Sequence, residues 1–117
     1  MTDREMLEMA ARAAGIRTPS PDDMDLGWQQ YEESLGLWCK FKWGWNWWNP
    51  LADYGDALRL AVKLGIEVWR VPGKAMANGP RISPRISEPN GSDIYAATRR
   101  AITRAAAEIG RQMEETT

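Results

Sequence analysis

The run Asp53-Tyr54-Gly55-Asp56-Ala57-Leu58-Arg59-Leu60-Ala61-Val62-Lys63-Leu64-Gly65-Ile66-Glu67-Val68-Trp69-Arg70-Val71 changes its period in the middle. Its first part places Ala57, Leu58, Ala61, Val62 and Leu64 at helical spacing. Asp53 just ahead, with Asp56 three residues on, suits a capped start with acid at the positive end of the helix dipole. Gly65 ends the helix, because it takes the left-handed conformation at little cost. Ile66 to Val71 then follows at once, rich in β-branched and aromatic residues, and reads as a strand. A helix and a strand joined by one glycine, each with an apolar side to bury, point to the α+β class.

Upstream, Leu35 to Trp43 alternates: Leu35, Leu37, Cys39, Phe41 and Trp43 fall on one face, Trp38, Lys40 and Lys42 on the other. Before it, Thr2-Asp3-Arg4-Glu5 has the form of a capping box leading into Met6, Met9, Ala10 and Ala13. This predicts a first helix ending at Gly15, followed by a proline-rich loop, Thr18 to Asp23. Downstream, Asn78-Gly79 is a tight-turn signal, and Pro80-Arg81-Ile82-Ser83 is repeated as Pro84-Arg85-Ile86-Ser87. Pro84 cannot donate to a ladder, which places the repeat at a sheet edge or bulge with Ile82 and Ile86 on one face. Asn90 to Asp93 caps a long third helix with the stripe Ile94, Ala97, Ala101, Ala105, Ile109 and Met113, frayed from about residue 114 to 117. The expected order is α-β-α-β-β-α: one domain over 1–117, with a small, mainly antiparallel three-stranded sheet packed with helices.

The 117 residues carry 15 Lys+Arg and 16 Asp+Glu, so net charge makes no case for nucleic acid or an anionic membrane. The halves differ: Met1–Leu60 holds 6 basic and 10 acidic residues, Ala61–Thr117 holds 9 and 6. This is a pointer to an anionic partner. No apolar run reaches the roughly 18 residues of a membrane helix and no signal-like start is present, which predicts a cytoplasmic protein with no membrane partner. With no histidine and a single cysteine, Cys39, the usual general base, a structural zinc site and an internal disulfide are all missing. No phosphate-loop motif occurs either. The expectation is therefore no enzyme, no catalytic residues, no metal and no cofactor.

Trp43-Gly44-Trp45-Asn46-Trp47-Trp48 puts four of the seven tryptophans into six residues. Large rings closing the end of a small core account for part of the run, but alternation sends Trp43, Trp45 and Trp47 one way and Trp48 the other, so at least one ring is exposed. Exposed tryptophan serves as a protein-interface anchor or a base-stacking platform. Arg81 and Arg85 have only Glu88 as an acidic neighbour in sequence, whereas the arginines of the third helix have Glu108 within pairing distance of Arg104. The candidate binding residues are Trp38, Lys42, Trp45, Trp47, Trp48, Arg81 and Arg85.

Three stretches, Met6 to Ile16, Trp48 to Leu64 and Ala97 to Gly110, together resemble a family of small uncharacterised proteins of tailed bacteriophages and prophages, and the element order is loosely similar to the phage α/β/α-sandwich domain. The resemblance implies expression inside a bacterium and supplies no activity or site. The aromatic run before Asn49 and the doubled Pro-Arg-Ile-Ser depart from the pattern. The expected function is a phage-encoded, non-enzymatic binding protein of the host cytoplasm, a counter-defence factor that blocks a host protein or sequesters its signal. A nucleotide or nucleic-acid binder and an oligomeric structural or morphogenetic component are the alternatives.

Overall fold

In a computed structural model of the chain, residues 1–19, 30–80 and 82–115 are described. Helix α1 spans Asp3–Ala14, and the capping box forms as read: the Thr2 hydroxyl accepts from the Glu5 amide at 3.1 Å, and the Thr2 amide donates to the Glu5 carboxylate at 3.3 Å. The Thr2 hydroxyl also donates to the Glu5 carboxylate at 2.9 Å, and this bond first, with that from the Thr2 amide, holds the Glu5 carboxyl below its ordinary range. Helix α2 spans Tyr54–Leu64, capped by Asp53, whose carboxylate accepts from the Asp56 amide. Helix α3 spans Ile94–Glu115, with Asp93 accepting from the Tyr95 and Ala96 amides. It continues through Glu115 where fraying was expected from 114, and the last two residues lie outside the described part. Gly15 and Gly65 close α1 and α2 in the left-handed conformation, as their positions require.

The α+β class holds, while the strands are more numerous than the sequence suggested. Among the described residues, six strands form two antiparallel three-stranded sheets in place of one. Sheet A joins β1 (Tyr31–Glu32), β2 (Gly36–Phe41) and β3 (Gly44–Trp48) in that order. Sheet B joins β4 (Glu67–Val71), β5 (Lys74–Asn78) and β6 (Ile86–Pro89). The Leu35–Trp43 strand is shorter than expected because the chain reverses at Lys42-Trp43, with Phe41 opposite Gly44 at φ +128°, and the tryptophan run returns as β3. The turn expected at Asn78-Gly79 lies instead at Pro72-Gly73, where proline fixes φ and Gly73 sits at +80°, the pair a type II turn asks for. In the repeat only Ile86 onward is strand, at the edge of sheet B; Ile82 packs into the core from the preceding loop.

Helix α3 holds the molecule together. Its alanine face (Ala97, Ala101, Ala105 and Ala106) lies against α1, α2 and sheet B, while α1 also packs on β2. Short side chains set the spacing. A Cβ on Gly110 would lie 1.9 Å from the Met9 carbonyl oxygen, so α1 and α3 cross at backbone distance there. Ala75 and Ala77 of β5 are wholly buried, as is Ala101 of α3. Leu7, Leu37, Leu60 and Trp48 supply the larger volumes, each buried aliphatic side chain contributing about 2 kcal/mol. The stripe expected to anchor α2 is rotated: Ala57, Leu60 and Ala61 are buried, and Leu58 and Val62 face outward. No helix among the described residues is long and apolar enough to cross a membrane.

Candidate functional site

The hairpin of β2 and β3 sorts the tryptophans by register. Trp38 stands opposite Trp47 and Lys40 opposite Trp45, on the face away from Leu37, Cys39 and Trp48. Three of the candidate rings are thus brought together: Trp38 stacks on Trp45 with centroids 6.4 Å apart and meets Trp47 edge-on at 5.0 Å. The Arg17 guanidinium and the Lys40 ammonium lie over the Trp45 ring at 5.6 and 5.7 Å. All three rings are half-buried.

Trp48, placed among the binding candidates, is 3% exposed and belongs to the core, because its register partner is the buried Leu37. Lys42, expected beside Trp38, sits in the turn. So does Trp43, which the candidate set omitted; it is 76% exposed and stacks flat on Phe41 at 5.0 Å. Arg85 lies on the other sheet, its guanidinium 5.6 Å over the Trp69 ring. Arg81 lies outside the described residues. Cys39 is wholly buried; desolvation, with the Asp56 carboxylate adding to it, pushes its thiol up to about 12. It carries no nucleophile at neutral pH.

Two cavities flank α2. The first, of about 260 Å³, lies between the hairpin and the helix, with Trp43, Trp47, Ile16 and Leu60 as walls and Arg59 and Lys63 from α2 among its lining. Asp56, beside it, accepts from the Asn49 amide at 2.9 Å and from Arg59 at 2.8 Å, which ties the helix start to the end of β3. The second, of about 420 Å³, opens on the other side of α2 toward the first turns of α3. Tyr54, Leu58, Ile94 and Tyr95 wall it, and the two tyrosine rings meet edge-on at 6.0 Å.

From the wall of the second cavity outward, α2 presents Tyr54, Leu58 and Val62 at i, i+4 and i+8; Leu58 is 64% and Val62 74% exposed. Reading along the sequence, Leu58 and Val62 were counted with the buried stripe. The signal that distinguishes them is that α2 has more apolar residues than one face can hold: Ala57, Leu60, Ala61 and Leu64 complete a core stripe without them. The arginines of α3 are mostly neutralised. Arg104 bonds Glu88 at 2.6 Å, Arg100 pairs with Asp3 and Glu88 at 3.1 and 3.6 Å, and Arg111 pairs with Glu108 and Glu115. Glu108 therefore serves Arg111, where the sequence suggested Arg104; the Arg111 hydrogen bond holds the Glu108 carboxyl below its ordinary range. Among the described residues no three His, Cys, Asp or Glu side chains converge as a metal site would need.

Comparison of the chain with protein-family models, with curated proteins and with solved structures gives no match.

Proposed function

We propose that the chain is a non-enzymatic binding protein whose partner is another protein, docked across α2. The observation that carries this reading is the outward stripe Tyr54, Leu58 and Val62, joined at its first turn by the exposed Tyr95, whose ring meets that of Tyr54 edge-on. Large apolar side chains gathered on one surface, with pockets beside them to receive a partner's anchors, are what protein interfaces use, and aromatic residues dominate their energetics. The likeness of three stretches to phage and prophage proteins supports a role inside an infected bacterium, as a counter-defence factor that blocks a host protein.

A second reading, binding of a nucleotide or single-stranded nucleic acid, is favoured by one feature only, the Arg17 and Lys40 cations over Trp45. Capture from bacterial extract on the immobilised chain, at low and at high salt, separates the two. A protein retained at high salt and lost with Leu58→Asp/Val62→Lys, at unchanged melting temperature, supports docking across α2. Nucleic acid captured at low salt and released at high salt supports the second reading, and protein capture indifferent to the double variant overturns the first.

A further inference from the structure

The cavity walled by Tyr54, Leu58, Ile94 and Tyr95 is lined by two arginines, Arg70 and Arg99, each held in place by neutral acceptors. The Arg70 guanidinium donates to the Ile94 carbonyl at 3.3 Å, to the Thr98 hydroxyl at 3.0 Å and to the Asn90 side-chain oxygen. Arg99 donates from Nε to the Leu51 carbonyl at 2.9 Å, and its guanidinium carbon lies 4.5 Å over the Tyr54 ring. Every one of these acceptors is neutral. Arg59, Arg100, Arg104 and Arg111 each face a carboxylate, whereas among the described residues no carboxylate pairs with Arg70 or Arg99. Neutral acceptors fix the position of a guanidinium without cancelling its charge. The groove therefore joins an apolar floor to two held, uncompensated positive charges.

The apolar stripe of α2 also runs past the cavity, from Leu58 to the exposed Val62 one turn further on. A compact ligand would fill the cavity and leave that extension bare, whereas a peptide segment covers both. Building on the docking reading, we infer that this groove receives an acidic, amphipathic segment of the partner protein: apolar side chains seat against Leu58, Ile94 and Tyr95, and carboxylates meet Arg70 and Arg99. Guanidinium to carboxylate is the strong, directional pairing for such a site, and the apolar surroundings lower the screening by water. Charge complementarity of this kind selects the partner more than it adds raw affinity.

The test titrates the full chain into two fluorescein-labelled helical peptides, leucine at helical spacing in both, with glutamate at the polar positions of one and lysine in the other. The glutamate peptide is expected to bind at least tenfold more tightly, and Arg70→Gln and Arg99→Gln each to weaken it about tenfold, with Arg99→Lys in between, since an ammonium keeps the charge but loses the fork. The glutamate-against-lysine difference on the unaltered chain needs no substitution, so a variant that folds poorly does not decide the outcome. Equal binding of the two peptides overturns the inference, as does displacement of the glutamate peptide by an oligothymidylate of equal charge. A dimer in sedimentation that Leu58→Asp dissolves also overturns it, in favour of a second copy as the occupant. If the peptides bind alike while Leu58→Asp/Val62→Lys still abolishes capture from extract, docking across α2 stands and the acidic preference falls. If only the glutamate peptide binds and the double variant leaves capture intact, docking across α2 falls.

Discussion

The two sheets share strand number and antiparallel pairing, yet they meet the helices in opposite ways. Sheet A turns Leu37, Cys39 and the large Trp48 ring inward and fills its layer by volume. Sheet B turns Ala75 and Ala77 toward α3 and gains its contact by letting the helix come close. The first solution leaves irregular space beside the rings, seen in the cavity between the hairpin and α2. The second leaves no room at β5. Side-chain volume on the inner face decides whether a layer is sealed or indented, and the first of the two cavities beside α2 lies on the side of the large rings.

The difference can be broken from either side. Trp48→Ala removes the largest inward ring of sheet A and is expected to cost about 4 kcal/mol in urea or guanidinium unfolding, since the surrounding structure closes only in part around the void. Ala77→Leu forces volume into sheet B instead; α3 is pushed outward, at a cost of about 2 kcal/mol in the same unfolding measurement. A third measurement sharpens the contrast. The Cys39 thiol is raised in the folded state above its ordinary value, so between about pH 9 and 12 the native chain holds a proton that the unfolded chain releases, and stability falls as pH rises through that window. Cys39→Ala should flatten the decline by up to about 1.4 kcal/mol per pH unit, whereas Ala75→Ser in sheet B leaves its slope unchanged.

Features set by neighbouring residues were legible in the sequence. The caps at Thr2 and Asp53 and the stops at Gly15 and Gly65 depend on a few consecutive side chains, and all four form as read. The alternation of Leu37, Cys39 and Phe41 against Trp38 and Lys40 also holds, because one face of β2 is buried. What escaped depends on distant partners. Lys42-Trp43 carries no turn signal, since the glycine that permits the reversal follows the pair at Gly44. Lys74-Ala75-Met76-Ala77-Asn78 has poor strand propensity, and only the passage of α3 over it explains two buried alanines in a central strand. The tryptophan cluster was located, but its faces were not: a continuing strand separates Trp38 from Trp45 and Trp47, and a hairpin unites them. The groove at Tyr54 and Tyr95 joins residues some forty positions apart that no local pattern connects.

The seam between Met9 and Gly110 carries a consequence for how the molecule assembles. Hairpins such as β2 with β3 and β4 with β5 close over a two-residue turn and form within about microseconds. The α1 to α3 seam unites residues roughly a hundred positions apart, and its loop-closure entropy is met only once the intervening sheets have shortened the path. The expected consequence is that α1 docks last and leaves first, so that Gly110→Ala speeds unfolding far more than it slows folding when both rates are followed against denaturant.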